Sequence, residues 1–132
     1  MTSYNHRVIL RMSWDVEYTD EFEEWWTGLD AAEQVSVEAV VEVLAEIGPS
    51  LPFPYSSDVK SSRHGNMREL RVQHRGRPYR VLYAFDPRRV ALLLLGGTKT
   101  GGARWYEKMV PAADLLYDHH LQALRREDDR DA

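Results

Sequence analysis

Three strand patterns follow one another closely in the second half of the chain, and they constrain the fold more than any other feature. Residues 67–74, with RELRV at their centre, predict one strand. Residues 78–85 predict a second, in which three aromatic residues and Val81 alternate with Arg80, Leu82 and Ala84. The continuous apolar run over residues 90–95 is typical of a central strand that is buried on both faces. Gly76 and the Asp86-Pro87 pair supply turns between them. We therefore expect these segments to form one mostly antiparallel sheet.

The first half of the chain has helical periodicity behind a short strand pattern at residues 14–18, which we interpret as an edge strand. Asp20 with Glu23, and Asp30 with Glu33, have the spacing of capping boxes and predict two helix starts. The second helix is expected to end at Gly48-Pro49. Its apolar face is predicted to consist of residues at helical spacing, namely Val37, Val40, Val41, Leu44 and Ile47.

The segments around the strand patterns are less regular. Residues 49–66 contain three prolines and show neither helical nor strand periodicity, which predicts a long loop. A loop of this length in a compact domain is either functional or a sign that its secondary structure has been assigned wrongly. Pro111 suits the first turn of a last helix because its ring fixes a helical φ. That helix is expected to carry its apolar side at Leu115, Leu116, His119 and Leu124.

A chain of 132 residues is long enough for one domain of ordinary size. The predicted fold is α+β in the order β-α-α-β-β-β-α, with the sheet packed on the N-terminal helix pair and a C-terminal helix. We expect a flexible arm at residues 1–12, a single domain over 13–126 and a frayed tail at 127–132. No cysteine is present, which excludes thiolate chemistry, and no apolar run reaches 18 residues, so a cytoplasmic protein without a membrane segment is expected.

Charge is unevenly distributed along the chain although the net charge is only −4. Residues 1–58 carry 2 basic and 12 acidic side chains, whereas residues 59–110 carry 12 basic and 3 acidic ones. This segregation predicts one acidic and one basic surface, and a basic surface is the usual footprint of a phosphate ligand. The alternative is a mixed, solvated surface on which the clustering is accidental.

The basic segment holds residue types that suit RNA cleavage by the 2′-hydroxyl, which needs a base, an acid and cations around the phosphate. Arg71 and Arg80 lie on neighbouring predicted strands and could converge on one face, while Lys99 follows the next strand. Tyr106 could stack on a base or orient the phosphate. The alternatives are that Arg71 pairs with Glu69 as a surface salt bridge and that Tyr106 anchors the last helix in the core.

Histidine is another candidate base near neutral pH, and His64 and His74 flank the first basic strand. His119 and His120 are adjacent, so on a helix they point in different directions and make a poor metal pair. No metal site and no small-molecule cofactor are expected.

The ordered set of segments resembles a known family. The helix pair is followed by residues 65–72 (GNMRELRV), by residues 79–83 (YRVLY), and by an apolar strand that runs into Gly97-Thr98-Lys99. This arrangement, over roughly residues 14–124, resembles the phage-derived HigB-like branch of the RelE/ParE toxin superfamily.

The resemblance implies the toxin of a type II toxin–antitoxin pair, typically a metal-independent endoribonuclease that cuts mRNA in the ribosomal A site. Its partner is typically a helix-turn-helix antitoxin. The positions that match the family's substrate-facing, catalytic residues are Arg71, Arg80, Lys99 and Tyr106. Further RNA contacts are expected from neighbouring basic side chains, namely Arg63, His64, Arg68, Arg104 and Lys108.

The chain departs from the RNA-cutting members of that family in two respects. Its net charge is acidic, and Glu69 occupies the position that matches another catalytic base. Two alternatives therefore stay open: a toxin that acts on DNA gyrase, as in the ParE branch, and an inactive module that binds RNA or protein.

Overall fold

The computed structural model describes residues 7–11 and 13–131, and these residues form a single six-stranded sheet with helices on both faces. The elements, in chain order, are β1 (Arg7–Arg11), β2 (Asp15–Tyr18), α1 (Asp20–Thr27), α2 (Ala31–Ile47), β3 (Ser56–Asp58), β4 (Arg68–His74), β5 (Arg77–Phe85), β6 (Ala91–Thr98) and α3 (Ala103–Asp131). The strand order is β1-β2-β6-β5-β4-β3, and every neighbouring pair is antiparallel except β2 and β6. The predicted α+β class with a mostly antiparallel sheet is confirmed.

Strand β6 is the centre of the sheet, as its apolar run predicts, because β2 and β5 pair with its two edges. This arrangement corrects the expectation that the first strand pattern forms an edge strand. Strand β2 lies inside the sheet, parallel to β6, and its other edge pairs with β1. Strand β1 therefore occupies part of the segment that was predicted to be an arm, whereas residues 1–6 and 12 of that segment lie outside the described residues.

Both helices of the N-terminal pair begin at side-chain caps. The side chain of Asp30 accepts a hydrogen bond from the Glu33 backbone while Glu33 reaches back to the Asp30 backbone, so the predicted capping box of α2 is confirmed. Helix α1 is capped one residue earlier than predicted, by Thr19, whose Oγ1 accepts a hydrogen bond from the Phe22 amide over 3.0 Å. The same hydroxyl donates to the carbonyl of Leu94 over 2.7 Å, which ties the cap to β6.

The predicted loop over residues 49–66 contains β3, a three-residue strand that pairs with the edge of β4. A strand of three residues is too short to show a period of two, so the pattern could not reveal it. The backbone amide of Arg71 also donates to the carbonyl of Tyr55 over 2.9 Å, and the loop is therefore attached to the sheet.

Helix α3 is the largest difference from the sequence prediction, since it begins at Ala103 rather than at Pro111. Gly101 and Gly102 end the preceding segment with φ angles of 79° and 55°, which favour glycine, and the helix starts directly after them. Pro111 lies inside the helix. The helix continues through Asp131, across the segment predicted to be a frayed tail. Leu115, expected on the apolar face, is 53% exposed, whereas the neighbouring buried face is formed by Trp105, Val110, Ala113, Tyr117, His120 and Ala123.

The two faces of the sheet bury separate cores, and the alternation of β5 shows which side chains face which helices. Tyr79, Val81 and Tyr83 pack towards α1 and α2, in the larger core. Leu82 and Ala84 pack towards α3, in a second core that includes Trp105 and Tyr117. Because side chains alternate along a strand, Arg80 projects to the α3 side of the sheet.

One glycine of β6 sets how closely α1 approaches the sheet. A Cβ atom at Gly96 would lie 2.1 Å from Cε3 of Trp25, which is far inside van der Waals contact. Trp25 therefore packs directly on the backbone of β6, while Trp26 is half-buried at the outer side of the helix pair. Within residues 7–11 and 13–131, no helix is both long and apolar enough to span a membrane.

Candidate active site

A buried carboxylate lies at the centre of the basic half of the molecule. Glu69 projects from β4 to the α3 side of the sheet, and its side chain is only 6% exposed. Its Oε2 accepts hydrogen bonds from Ser57 Oγ over 2.7 Å and from Arg71 Nη1 over 3.3 Å. Its Oε1 accepts a hydrogen bond from Tyr106 Oη over 2.7 Å. A buried carboxylate requires such partners because burial alone disfavours its charged form.

Arg80 lies beside this carboxylate. The Cα atoms of Arg80 and Arg71 are register partners across β4 and β5, so both arginines project from the same face. The Arg80 side chain is 5% exposed, and its Nε lies 3.8 Å from Oε1 of Glu69. That Nε has no hydrogen-bond acceptor, while Nη1 donates to the carbonyl of Tyr79 over 3.0 Å. Arg80 is thus a buried cation, held by an ion pair with Glu69, that retains an unused donor.

Tyr106 and Lys99 complete the cluster from the other side. Burial raises the pKa of Tyr106 above its usual range, and the hydrogen bond to Glu69 raises it further, although Arg80 opposes the shift. The phenol therefore keeps its proton at neutral pH and acts as a donor. Nζ of Lys99 lies 5.3 Å from the centre of the Tyr106 ring, within the range of a cation–π contact.

Three of the four residues that the sequence predicted to be catalytic contact Glu69, namely Arg71, Arg80 and Tyr106. The fourth, Lys99, lies against the ring of Tyr106. The arrangement replaces two simpler interpretations of the sequence. Arg71 does pair with Glu69, but the carboxylate is buried, so the pair is not a surface salt bridge. Tyr106 is only partly buried, and its hydroxyl group is directed to the carboxylate rather than into the core. We refer to Ser57, Glu69, Arg71, Arg80, Lys99 and Tyr106 as the Glu69 cluster.

An open groove of about 500 Å³ adjoins the Glu69 cluster between β3 and the first turns of α3. Glu69 and Tyr106 form its inner wall, and apolar side chains of Val59, Val110 and Pro111 form much of the rest. Phe53, which is 67% exposed, lies at the rim of the cluster, with the Arg71 guanidinium 4.9 Å from its ring centre.

Three of the five predicted RNA contacts are engaged in bonds within the protein. Arg63 binds Asp118 of α3 through both terminal nitrogens, and His64 Nε2 lies 2.7 Å from the same carboxylate. The hydrogen bond from Arg63 holds the pKa of Asp118 below its usual range. Arg68 binds Asp58 and donates to Ser56 Oγ over 2.9 Å.

The other two predicted contacts, Arg104 and Lys108, are exposed and lie one helical turn apart on α3. Each lies two positions from Tyr106, and residues two positions apart on a helix point in different directions, so neither shares the side of α3 that carries Tyr106. His74, the other candidate base, is directed away from the cluster, since its Nδ1 lies 2.7 Å from Ser36 Oγ of α2.

Sequence reasoning missed Ser57 and Phe53 because both lie in the segment without a period. It also missed a second buried network, on the opposite end of the α3 face. Asp86 contacts His120 Nε2 and the Arg88 guanidinium at 2.7 Å each, and Arg88 in turn binds Glu17 of β2 over 2.9 Å. This network joins α3 to the β5–β6 turn, and only the Asp86-Pro87 turn signal pointed to it.

His119 is exposed whereas His120 is buried, so the two adjacent histidines do point in different directions. Among the residues that the structure describes, no group of three or more histidine, aspartate or glutamate side chains is arranged to hold a metal ion.

Comparison with known proteins gives a family and two relatives. The family model described as "Phage derived protein Gp49-like (DUF891)" matches residues 24–118. The chain is 44% identical over 99 residues to "Putative toxin HigB2" of Mycobacterium tuberculosis, covering 74% of this chain and 49% of that protein. It is 41% identical over 102 residues to "Putative toxin HigB3" of the same organism, covering 76% of this chain and 88% of that protein.

The chain thus spans about half the length of HigB2 and most of HigB3. No solved structure matches significantly. The family match includes the second half of α1, all of α2, the strands β3 to β6 and the first half of α3, and therefore most of the segments on which the HigB-like resemblance rests. The chain accordingly belongs to the Gp49-like family of phage-derived proteins, and its likeness to the two HigB proteins confirms the HigB-like resemblance of its sequence.

Proposed function

We propose that this protein is the toxin of a type II toxin–antitoxin pair and that it cleaves mRNA on the ribosome without a metal ion. The observation that carries the proposal is the convergence of two arginines and a protonated phenol on one buried carboxylate, with a lysine against the ring of that phenol. Such a cluster combines the proton acceptor, the proton donors and the cations that RNA cleavage requires. The two HigB relatives carry the word toxin in their names.

In the proposed reaction, Glu69 takes the proton of the ribose 2′-hydroxyl, whose oxygen attacks the adjacent phosphorus. The bond from phosphorus to the 5′-oxygen breaks, which leaves a 2′,3′-cyclic phosphate on one fragment and a 5′-hydroxyl on the other. Arg71 and Arg80 stabilise the additional negative charge on the phosphate oxygens, since a guanidinium matches two oxygens at once. Tyr106 and Lys99 are the two donors available to protonate the leaving 5′-oxygen.

The acidic net charge does not argue against an RNA substrate, because the charges are segregated in the fold. The twelve acidic side chains of residues 1–58 belong mainly to β2, α1 and α2, whereas the Glu69 cluster lies on the face that α3 covers. Exposed Lys60 lines the groove that adjoins the cluster. We infer that RNA approaches along this side, with the groove beside Tyr106 receiving a nucleotide next to the scissile phosphate.

A second candidate function follows from the same carboxylate. Glu69 already binds Ser57, Arg71 and Tyr106, and it forms an ion pair with Arg80. If the carboxylate keeps these donors when a ligand binds, the protein is a binding module that does not cut RNA, or a toxin that acts on another target such as DNA gyrase.

The test is a purified translation system that is given a defined mRNA and the protein, with EDTA-treated protein in a parallel reaction. We expect new 5′-hydroxyl ends within the translated region, formed equally well after metal removal. An intact message together with broken or relaxed plasmid DNA in a gyrase assay would instead establish the gyrase target. An intact message together with unchanged DNA would indicate a binding module that does not cut RNA.

The partner that we propose is a small helix-turn-helix antitoxin, as the toxin–antitoxin assignment requires. Co-expression of the chain with the adjacent reading frame is expected to relieve the growth arrest that the chain alone produces. Arrest that persists in the presence of every neighbouring reading frame would contradict this assignment.

A further inference from the structure

The face of the sheet opposite the Glu69 cluster carries a groove that the proposed chemistry does not use. It lies between α1 and α2 and encloses about 330 Å³. Tyr18, Phe22, Trp26 and Val41 form its apolar surface, with Glu23 and Glu38 at its rim. Phe22 and Trp26 are stacked, with ring centres 6.3 Å apart, and Tyr18 lies 5.9 Å from Phe22. The floor of the groove is therefore a continuous aromatic surface, and Trp26 remains partly accessible.

The charged residues that line this groove, Glu23 and Glu38, are both acidic. From Ser13 to Asp58 the chain contains twelve carboxylates and no lysine, arginine or histidine. Several of these carboxylates are engaged: Glu17 binds Arg88, Asp58 binds Arg68, and Asp15 also has a partner. The rim residue Glu38, and Glu42 and Glu46 further along α2, are exposed. A groove with an apolar centre and two carboxylates, Glu23 and Glu38, at its rim is complementary to an apolar ridge that cations flank.

We propose that this groove binds a basic amphipathic helix of a partner protein. About two or three aliphatic side chains at helical spacing would enter the groove, as in other helix-in-groove complexes, while lysines or arginines beside them would meet Glu23 and Glu38. The proposal rests on the proposed function only for the identity of the partner, the antitoxin. Because the groove and the Glu69 cluster lie on opposite faces of the sheet, a helix bound here leaves the cluster open.

A second copy of the chain is a poorer occupant of the groove. Its arginines at positions 63, 68 and 88 are bound to carboxylates of their own chain. Its α3 does expose an apolar side chain, Leu115, but the positions one turn away from Leu115 include Asp118 and no lysine or arginine. The exposed apolar side chain of α3 is therefore not flanked by the cations that the groove fits.

The test uses the full chain and a fluorescein-labelled leucine–lysine peptide that folds as an amphipathic helix. Fluorescence anisotropy compares it with a shuffled peptide of the same composition, in which leucines point to every side, and with a leucine–glutamate version. We expect the patterned peptide to bind at least about tenfold more tightly than the shuffled one, and the acidic version not to bind. Equal binding of the patterned and shuffled peptides would show that only net charge is recognised and would overturn the proposal.

Two charge reversals on α2 locate the site. Glu38→Lys and Glu46→Lys change the net charge equally, but only Glu38 lines the groove. Glu38→Lys is expected to lower the affinity for the patterned peptide by about tenfold. Glu46→Lys is expected to change that affinity by less than about twofold. Trp26→Ala, with circular dichroism to show that the variant is folded, is expected to weaken binding as well. Equal effects of the two reversals, or unaltered binding to folded Trp26→Ala, would contradict the proposed site.

Two further measurements separate this proposal from its alternatives. Sedimentation of the chain without peptide is expected to show a monomer, and a dimer that Glu38→Lys dissociates would mean that a second copy occupies the groove. The peptide experiment contains no RNA, so it stands if mRNA cleavage fails. Conversely, Glu38→Lys is expected to cleave mRNA at the unaltered rate, so loss of peptide binding does not count against the ribonuclease.

Discussion

Tyr106 donates a hydrogen bond to Oε1 of Glu69 over 2.7 Å and thereby joins the beginning of α3 to the beginning of β4. The two residues are 37 positions apart in the chain. Their bond fixes the start of α3 over the basic face of the sheet, with Arg71 and Arg80 on either side of the carboxylate. The same contact is therefore expected to contribute both to stability and to the placement of the reacting groups.

A double-mutant cycle measures this contribution. Tyr106→Phe removes the donor of the bond and Glu69→Gln removes the charge of its acceptor, and the double variant is expected to be less destabilised than the sum of the single changes. A hydrogen bond to a charged group predicts a coupling free energy of about 1–2 kcal/mol in urea unfolding. The control cycle combines Tyr106→Phe with Glu107→Gln, an exposed neighbour, and should be additive within about 0.5 kcal/mol. Additivity in both cycles would show that the bond does not stabilise the fold.

Gly96 is expected to tolerate no side chain, because Trp25 lies where a Cβ atom would be placed. Gly96→Ala should lower the free energy of unfolding by about 1–3 kcal/mol, the usual cost of overpacking. Gly65→Ala is the matched control, since nothing lies within 4 Å of its Cβ position and its φ is not positive. Thermal unfolding of the two variants compares the sites, and equal melting temperatures would contradict the close packing of α1 on β6.

The Asp86 network predicts a specific loss of stability in acid. Burial favours the neutral form of Asp86, but the bonds from His120 and Arg88 outweigh it and hold the pKa of Asp86 below its ordinary value of 3.8. The folded state therefore binds this proton more weakly than the unfolded state does. The resulting stabilisation is present above the ordinary pKa and is lost as the pH falls through the depressed one.

Urea unfolding between about pH 6 and pH 2 tests this assignment. Asp86→Asn should be less stable than the wild type at pH 6, and the difference should shrink as the pH falls below about 4. The control is Asp128→Asn, an exposed aspartate near the end of α3, which should follow the wild-type curve. A constant difference between Asp86→Asn and the wild type at every pH would rule out the depressed pKa.

The sequence was sufficient to place Arg71 and Arg80 side by side, because strand alternation and one short turn determine their register. The sequence was also sufficient to predict the capping box of α2, because that motif depends on two residues only three positions apart. These features are local. The role of Glu69 was not accessible in this way, because its partners Ser57 and Tyr106 come from a short strand within an aperiodic segment and from a distant helix.

The start of α3 shows a different limit of sequence reasoning. Pro111 is well suited to a first helical turn, and that local preference favoured a start eight residues too late. Burial of Trp105 and Val110 against the sheet stabilises the earlier turns, and the helix accommodates the proline. Tertiary packing thus determines where α3 begins, and local propensity predicted that start wrongly. The earlier start is what brings Tyr106 into the helix and positions it.

The central claim, that the Glu69 cluster cleaves RNA, depends most directly on Arg80, whose Nε is buried, unused as a hydrogen-bond donor and 3.8 Å from the carboxylate. Lysine at this position keeps the positive charge beside Glu69 but loses the planar fork that binds two phosphate oxygens. Arg80→Lys is therefore the variant that best preserves the fold while it alters the phosphate contact. Alanine removes the phosphate contact altogether. It also removes one of the positive charges that balance the buried carboxylate of Glu69.

The measurement is the rate of mRNA cleavage in a purified translation system, with circular dichroism and thermal unfolding to select folded variants. Folded Arg80→Ala is expected to cleave roughly a hundredfold more slowly than the wild type, with Arg80→Lys between the two. Arg125→Lys, the same substitution at an exposed position of α3, should cleave at the wild-type rate. Wild-type cleavage by folded Arg80→Lys and Arg80→Ala would remove Arg80 from the reaction and contradict the assignment of the Glu69 cluster as a ribonuclease site.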